Sequence, residues 1–160
     1  MGEGTTTGVK WIGGSEADRA AVMAQHANYL EANAVFDAER LQGIWSGAPE
    51  ASFFNLNGHT YDGRAHWTQL WRYYKTQMQT GEWIPYDFHG TLSGDVAVVW
   101  CHRKTQLTWF GNDPRPDANR HSDKQFISRS TMVFNREPDG WRVVHVHFSE
   151  HSTDPRPGGI

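Results

Sequence analysis

The sequence lacks several features that would mark whole classes of protein. Cys101 is its single cysteine, which excludes an internal disulfide and indicates a reducing compartment such as the cytoplasm. Its 15 Lys and Arg residues face 18 Asp and Glu residues, and the net charge of −3 is spread without blocks, whereas a nucleic-acid surface is basic and clustered. There is also no apolar N-terminal run of signal-peptide or transmembrane type. We therefore expect a cytoplasmic protein with neither nucleic acid nor a membrane as partner.

Motifs for the common cofactors are missing as well. There is no Gly-x-Gly-x-x-Gly after a strand, no phosphate-binding loop, no Gly-x-Ser-x-Gly elbow and no paired-cysteine zinc spacing. Readings that invoke nicotinamide, ATP, an acyl-serine or a zinc finger therefore have no support. We expect a protein that works without a cofactor.

Aromatic residues are what the sequence has in excess. It contains eight Trp, eight Phe and five Tyr, with nine His beside them. So many planar side chains in a small protein indicate either a large interface or a pocket for a ring-containing ligand. An aromatic-rich core accounts for most of them in either case.

The length of 160 residues suits one domain with a substantial core. The Gly- and Thr-rich start has the composition of a poorly ordered segment. The predicted organisation is a flexible arm over residues 1–14, a single domain over 15–151 and a C-terminal tail over 152–160.

Three helices are predicted, all in the first half of the chain. Ser15 suits the N-cap of the first helix, and apolar spacing continues to about residue 33. A shorter helix is expected over residues 36–42. A third begins after Asp62 and runs to about Thr80, where Gly81 ends it.

The second half of the chain is predicted to be strand. A short strand over residues 51–56 turns at Asn57 and Gly58, and four long strands follow over residues 85–92, 95–110, 125–136 and 141–149. Helices followed by a run of antiparallel strands indicate the α+β class. Such long strands are expected to curl into a cone-shaped, mostly antiparallel sheet that wraps around the helices.

The last strand organises the predicted fold. Strict alternation would put one set of side chains on one face (Trp141, Val143, His145, His147 and Ser149) and the other set on the opposite face (Arg142, Val144, Val146 and Phe148). A strand this apolar on both sides is not a solvated edge. It is expected to pack on helices with one face and on a second subunit with the other.

Several segments resemble the nuclear transport factor 2-like superfamily, which includes ketosteroid isomerase, SnoaL-type polyketide cyclases and calmodulin-kinase association domains. The resemblance rests on residues 62–67 (DGRAHW), residues 94–97 (GDVA), Arg103, and residues 139–149 with their Trp-x-x-x-His-x-His-x-Ser pattern. It covers roughly residues 20–151. It implies a cone-shaped α+β barrel, a deep pocket between the concave sheet and the helices, and a homodimer formed through the convex face.

The resemblance carries over few functional residues. Where the isomerases have a catalytic carboxylate, residues 52–55 contain no acid. The isomerase tyrosine falls close to Tyr29, which implies an oxyanion donor there. Arg103 matches one of the pocket arginines of the association domains, whereas two other such positions fall on Met132 and Phe148.

Arg103 is the strongest candidate for chemistry. Apolar neighbours along its strand indicate burial, and a guanidinium cannot be neutralised, so it needs a partner. That partner is either a structural acid or the phenolate, enolate or carboxylate of a ligand. The acids considered are Asp87, Glu39 and Glu31. Arg129, on the neighbouring strand, has the same ambiguity, although alternation from Met132 would turn it away from the pocket.

Other candidates rest on side-chain type. His59, near the pocket mouth, and His89, on an inner strand, can act as general bases near neutral pH. The predicted catalytic set is Arg103, Tyr29, His59 and His89. The predicted substrate-binding set is Phe54, Tyr61, Trp67, Trp71, Tyr86, Cys101, Arg129 and Met132, with a purely structural core as the alternative. His145 and His147 are expected to be structural or interface residues rather than metal ligands, and no metal is predicted.

The function predicted from these residues is an enzyme that acts on an aromatic small molecule by proton transfer and oxyanion stabilisation. Because no carboxylate base stands in the isomerase position, a lyase that uses elimination or retro-aldol cleavage fits best. This resembles the cofactorless diarylpropane lyases, which release formaldehyde from lignin-derived dimers. The alternatives are a SnoaL-type cyclase, an isomerase, or a non-catalytic association domain.

Overall fold

The computed structural model describes residues 8–113 and 124–159. Its helices are α1 (Glu16–Ala34), α2 (Ala38–Leu41) and α3 (Gly63–Gln77). Its strands are β1 (Lys10–Ile12), β2 (Ser52–Phe54), β3 (Thr60–Asp62), β4 (Met78–Thr80), β5 (Ile84–Ser93), β6 (Val96–Trp109), β7 (Lys124–Glu137) and β8 (Gly140–Glu150). No helix within the described ranges has the length and apolarity needed to cross a membrane.

The strands form a curved, mostly antiparallel sheet that does not close, and the α+β prediction is confirmed. Its order is β1-β5-β6-β7-β8-β2-β3, with β4 paired to the far end of β6. The long strands β5 to β8 are antiparallel, whereas β1 joins β5 and β2 joins β8 in parallel. We call the face toward α1 and α3 the inner face and the opposite one the outer face.

The start of α1 follows local capping, whereas the bounds of α2 and α3 correct the sequence prediction. The Ser15 side chain accepts a hydrogen bond from the Asp18 backbone N–H at 3.1 Å, as predicted. Helix α2 is shorter than the predicted 36–42. Helix α3 ends at Gln77 rather than near Thr80, because Met78–Thr80 pairs with β6 instead. Asp62 makes no side-chain cap for α3.

Strand β6 supplies a regular row of inner-face residues. Alternate side chains are buried along it: Ala97, Val99, Cys101, Arg103, Thr105 and Leu107. The period of two is the ordinary consequence of the pleat, so Arg103 faces the helices in the same way as its apolar neighbours. Arg103 is thus held inside the fold by strand register.

Strand β8 departs from strict alternation. Phe134 pairs with Val143 and Val133 pairs with His145, so Val144 is an extra residue and the strand contains a bulge. Both Val143 and Val146 are fully buried, although alternation would separate them. The prediction that His145 shares a face with Trp141 and Val143 is therefore wrong, because the bulge shifts the phase.

The core centres on Trp45, which is completely buried. Its ring centroid lies 5.4 Å from that of Trp67, 5.9 Å from that of Phe53 and 6.0 Å from that of Trp71. Phe53 and Trp67 stack at 5.1 Å with their planes 10° apart. Offset and tilted arrangements of this kind are the favourable geometries for aromatic pairs. Much of the aromatic excess is therefore core.

Part of the predicted N-terminal arm has regular structure. Lys10–Ile12 pairs with β5, and the Trp11 ring crosses Gly90, where an added Cβ would lie 2.5 Å from a ring carbon. Gly90 is needed there for the close approach. Residues 1–7 of the predicted arm, and residues 114–123 of the loop before β7, lie outside the described residues.

Candidate functional site

A cavity of about 480 Å³ lies between the inner face of the sheet, the helices α1 and α3, and the β2–β3 hairpin. Aromatic rings form most of its wall: Phe36, Trp71, Tyr73, Tyr74, Trp83, Trp109, Phe126 and Phe148. The volume is in the range of small-molecule pockets, and an apolar wall with a few polar groups is their usual composition.

Arg103 is the one cation among the described residues that line this cavity. It is 2% exposed, and its guanidinium carbon lies 4.9 Å from the ring centroid of Trp83 and 4.3 Å from that of Phe148. Two aromatic faces therefore flank the charge. Within residues 8–113 and 124–159, Nε and Nη1 of Arg103 are buried and have no hydrogen-bond partner. The Tyr29 hydroxyl, which is hydrogen-bonded to the guanidinium, carries no charge, and a buried charge without a counter-charge is costly. Among the described residues, Arg103 therefore lacks its counter-charge.

The acids considered as structural partners for Arg103 are engaged elsewhere. Glu31 pairs with Arg40 at 2.8 Å and Glu39 pairs with Arg72 at 2.8 Å. Asp87 lies 3.5 Å from His89 Nε2 and 3.3 Å from His102 Nδ1. No ion pair to Arg103 occurs in the described part of the chain.

Tyr29 lines the cavity beside Arg103. Its hydroxyl donates a long 3.5 Å hydrogen bond to Asn33 Oδ1. Burial raises the pKa of the phenol, and the nearby Arg103 guanidinium opposes that rise. Tyr29 is therefore a neutral hydroxyl next to a cation. Its one proton lies in a long, weak bond to Asn33 and can turn to an oxyanion held by Arg103.

The β2–β3 hairpin and α3 contribute a second polar group of residues. Asn57 Nδ2 donates to the Tyr61 hydroxyl at 2.9 Å and to the Tyr74 hydroxyl at 3.3 Å. Asn55 Nδ2 also donates to Tyr74, at 3.1 Å. Burial raises the pKa of Tyr74 to about 12, and the neighbouring Tyr61 adds to the effect. His59 is exposed at the mouth of the cavity.

Carboxylates do not line the cavity within the described residues. One lining residue, Tyr73, does contact a carboxylate, because its hydroxyl donates to Asp113 Oδ2. Asp113 lies just after β6, and its backbone N–H donates to Gln77 Oε1 at 3.3 Å. The described residues therefore offer tyrosine hydroxyls, asparagine amides, indole N–H groups, a histidine and an arginine as polar groups that face a ligand.

The structure brings five of the predicted site residues to the cavity: Arg103, Tyr29, His59, Tyr61 and Trp71. Three others are buried away from it. Trp67 and Met132 are fully buried core residues. Cys101 is also buried, and this burial raises the pKa of its thiol to about 11, so the thiol is neutral.

The remaining predicted residues lie on the outer face. His89, expected on an inner strand, stacks on Trp100 with ring centroids 5.5 Å apart. Tyr86 stacks on His102 at 5.4 Å. Arg129 donates to Ser149 Oγ at 3.0 Å, in agreement with alternation from Met132. Phe54 is 40% exposed and meets His145 edge-on at 4.8 Å. These positions separate all four side chains from the cavity.

His145 and His147 take part in contacts at the junction of β2 and β8. Among the described residues there is no group of three His, Cys, Asp or Glu side chains that could hold a metal ion. His145 Nδ1 instead lies 2.7 Å from the Ser52 carbonyl oxygen, which stabilises the junction of β2 and β8.

Sequence reasoning missed several residues that shape the site. Trp83 and Asn33 line the cavity, and the Nε1 atoms of Trp71 and Trp83 are buried without a hydrogen-bond partner in the described ranges. His26, on α1, is 1% exposed, and burial together with the Arg103 charge lowers its pKa to about 3. Its position on the apolar stripe of α1 was the signal that could have revealed its burial.

Comparison with protein families gives one match over most of the domain. A family model described as a SnoaL-like domain matches residues 22–153. No curated protein matches the sequence significantly.

Solved structures share the fold at low sequence identity. A protein from Streptomyces avermitilis, provisionally named a dehydratase of the NTF2-like family, has a TM-score of 0.70 at 21% identity over 87% of this chain and 100% of its own. A Novosphingobium aromaticivorans protein, provisionally named an aromatic ring hydroxylase, has a TM-score of 0.69 at 16% identity, covering 88% and 93% of the two chains.

A third similar structure has a different kind of name. This Exiguobacterium sibiricum protein, provisionally named a calcium/calmodulin-dependent kinase II association domain, has a TM-score of 0.66 at 12% identity over 89% of this chain and 99% of its own. At these identities the likeness establishes the fold alone.

Proposed function

The chain belongs to the SnoaL-like domain family, and from that premise we propose that it is an enzyme for an aromatic small molecule, which it converts through an oxyanion held by Arg103. The observation that carries the proposal is the buried Arg103 guanidinium, whose Nε and Nη1 have no hydrogen-bond partner in the described ranges. A charge kept in this condition is stabilised when an anionic ligand arrives.

The aromatic wall supports the choice of substrate class. A cavity of about 480 Å³ accommodates one or two aromatic rings, and the rings that line it provide flat apolar surfaces. Exclusion of water by these rings strengthens the attraction between Arg103 and a phenolate or enolate oxygen. The names of the dehydratase-like and hydroxylase-like neighbours agree with small-molecule chemistry in this fold.

The reaction proposed is a lyase step of the retro-aldol or elimination type. In the retro-aldol form a base removes the proton of a β-hydroxyl group, the carbon–carbon bond breaks and an aldehyde leaves. The electron pair of that bond passes to the conjugated oxygen, where Arg103 and the neutral Tyr29 hydroxyl stabilise the negative charge. Release of formaldehyde from a phenolic diarylpropanediol is the specific case that we favour. There water leaves first to give a quinone methide, and the same cleavage then passes the electron pair to the phenolate oxygen, releases formaldehyde and leaves a stilbene.

His59 is the proposed base. It lies at the cavity mouth, and histidine is the side-chain type that exchanges protons near neutral pH. After bond cleavage its imidazolium returns the proton to the enolate carbon, so the step is balanced without a co-reactant. The absence of a carboxylate along the cavity wall of the described residues supports a histidine in this role.

The test is an activity screen with paired arginine variants. Phenolic β-hydroxy ketones and diarylpropanes are incubated with the protein, and aldehyde release is measured. Arg103→Met should lower kcat/KM by at least about 100-fold, because it removes the charge that the oxyanion needs. Arg136→Met, at an arginine on the surface, serves as the matched control and should retain activity. Retained turnover in Arg103→Met would remove Arg103 from the mechanism.

An association domain is the second candidate, and the name of the Exiguobacterium sibiricum neighbour supports it. We further propose that the outer face forms a homodimer, since Phe54 and Trp100 are exposed there by 40% and 36%. Sedimentation of the full chain separates the two cases. A dimer stabilised by phenolic ligands supports the enzyme, whereas a large ring that is indifferent to them supports the association domain.

A further inference from the structure

The tyrosine pair at the hairpin end of the cavity has a defined hydrogen-bond direction. The backbone N–H of His59 donates to Asn57 Oδ1 at 3.0 Å, which fixes the orientation of the Asn57 amide. The Nδ2 group must then point away, and it reaches the hydroxyl oxygens of Tyr61 and Tyr74 at 2.9 and 3.3 Å. Both hydroxyls are therefore acceptors toward the protein.

A hydroxyl that accepts from the protein keeps its own proton for another partner. Tyr74 accepts a second hydrogen bond from Asn55, so the remaining bond at its oxygen is the O–H itself. The raised pKa of Tyr74, to about 12, keeps that proton in place at all physiological pH values. Both tyrosines line the cavity, so their protons are available to a ligand inside it.

From these contacts we infer that Tyr61 and Tyr74 form a second binding subsite, which accepts a neutral oxygen acceptor such as a ketone, ether or methoxy oxygen. The inference rests on the proposed function for the other end of the ligand, where Arg103 takes the anionic oxygen. The substrate class is thus narrowed to aromatic molecules with an ionised oxygen at one end and an uncharged acceptor at the other.

The hydrogen bonds within the protein give the cavity a chemical preference for acceptors. Arginine has no acceptor, the Tyr74 oxygen already accepts two hydrogen bonds, and Tyr61 accepts from Asn57, so both tyrosine protons point to a ligand. A ligand with a hydrogen-bond donor at the hairpin end would leave these protons unmatched, which costs more than a missing contact. An apolar group of the same shape would lose the hydrogen bonds without a clash.

The experiment uses two probes of nearly equal shape. One is 4′-acetylbiphenyl-4-carboxylate, and the other is 4′-isopropylbiphenyl-4-carboxylate, in which the ketone oxygen is replaced by a methyl group. Binding to the full chain is measured by calorimetry. We expect the acetyl probe to bind about tenfold more tightly to the wild type, the value of one or two hydrogen bonds.

Variants at the subsite separate its role from that of Arg103. Tyr61→Phe/Tyr74→Phe should reduce the acetyl preference to about one while leaving isopropyl binding unchanged. Asn57→Asp should do the same, because the carboxylate still accepts from His59 but now also accepts the tyrosine protons. Tyr86→Phe, on the outer face, is the matched control and should keep the wild-type preference. Circular dichroism melts confirm that each variant is folded.

The outcomes distinguish the subsite from the proposed function. Equal binding of the two probes by the wild type, with loss of both in Arg103→Met, would overturn the tyrosine subsite and leave the anion site intact. A tenfold preference that depends on the tyrosines, with no effect of Arg103→Met, would support the subsite and contradict the proposed function. No binding of either probe at millimolar concentration would contradict both.

Discussion

Two arginines show how differently this fold uses the same side chain. Arg136, at the rim of the sheet, donates to Asp18 at 2.7 and 2.9 Å and to Asp95 at 2.9 Å. Arg103, inside the cavity, has aromatic neighbours and no ion pair within the described ranges. Both guanidinium groups lie over rings, since Arg136 is 4.6 Å from the Trp141 centroid. The two arginines differ because Arg136 has carboxylates as counter-charges and Arg103 has none among the described residues.

The contrast agrees with a structural role for Arg136 and with our proposal that Arg103 binds a ligand. The carboxylates around Arg136 complete its hydrogen bonds and connect α1 to the β6–β7 end of the sheet. Arg103 lowers the stability of the folded protein for as long as the cavity holds no anion. Natural proteins retain such costs where function requires them.

The largest expected effect concerns His26, which shares the interior with Arg103. Burial lowers the pKa of His26 in the folded protein to about 3, below the ordinary value of 6.5, so the unfolded chain takes up the proton first. The folded state therefore keeps its full stability above pH 6.5 and loses stability as pH falls toward 3. Between pH 7 and pH 4.5 the wild type should lose about 3 kcal/mol of unfolding free energy from this group. His26→Phe should not show this loss in urea titrations at the two pH values.

An exposed histidine provides the control for that experiment. His151→Gln should retain the wild-type difference between the two pH values, since its ring is at the surface. The same pH dependence in His26→Phe and wild type would show that His26 is not buried in the neutral form.

The next largest effect is on the free energy of unfolding, which should change in opposite directions when Arg103 and Arg136 are replaced by methionine. Arg103→Met removes an unpaired buried charge and fills its space with an apolar chain, so the free energy of unfolding should rise by about 2 kcal/mol. Arg136→Met should lower it, because two carboxylates lose their partner. Urea denaturation of both variants checks the signs. A loss of stability in Arg103→Met would mean that the interior charge is already compensated.

High salt should reduce the stability change caused by Arg136→Met more than the change caused by Arg103→Met. The Arg136 ion pairs are exposed to solvent, so the difference between Arg136→Met and wild type should shrink in about 1 M NaCl, where the Debye length is about 3 Å. The effect of Arg103→Met should stay nearly constant, because ions do not screen a buried site to the same degree. Thermal melts at low and high salt measure both. Equal salt sensitivity would contradict the assignment of the two environments.

The secondary structure was predictable from the sequence wherever a local signal determines it. The helix start at Ser15, the Asn57–Gly58 turn and the long strands were predictable because capping, turn chemistry and a period of two are local signals. The end of α3 was not, since nothing in residues 78–80 breaks a helix and only pairing with β6 makes them a strand. Long-range pairing overrode local propensity.

The position of a site residue was predictable where its own neighbours in the sequence indicate burial. Arg103 stood out as a cation among apolar neighbours on a strand. His89, Tyr86 and Phe54 were misplaced, because aromatic character does not tell which face of a sheet a residue occupies. The Asn57 amide was seen only as part of a turn, and its bonds to the two tyrosines depend on contacts that no spacing reveals.

The smallest expected effect lies at the rim. Hydrogen bonds from Arg136 lower the pKa of Asp18. The ionised carboxylate therefore stabilises the folded protein above pH 3.8, the ordinary pKa, and this stabilisation disappears as the pH falls below that value. Arg136→Met should weaken the loss of stability in that acidic window and leave the loss that arises from His26 at higher pH. Urea midpoints at closely spaced pH values between 5 and 2.5 test this. An unchanged acid profile would contradict the coupling.

The extra residue in β8 has a consequence for which changes of length this strand can accept. Val144 shifts the alternation of the strand, so Val143, Val146 and Phe148 all face inward and His147 faces solvent. Deleting Val144 would remove the bulge and leave the strand pairs on either side of it as they are, so Phe148 would still face the guanidinium of Arg103. A one-residue deletion anywhere between Val146 and Phe148 would instead put Phe148 out of phase, so the bulge is the one place in β8 where the strand can shorten and keep the cavity wall.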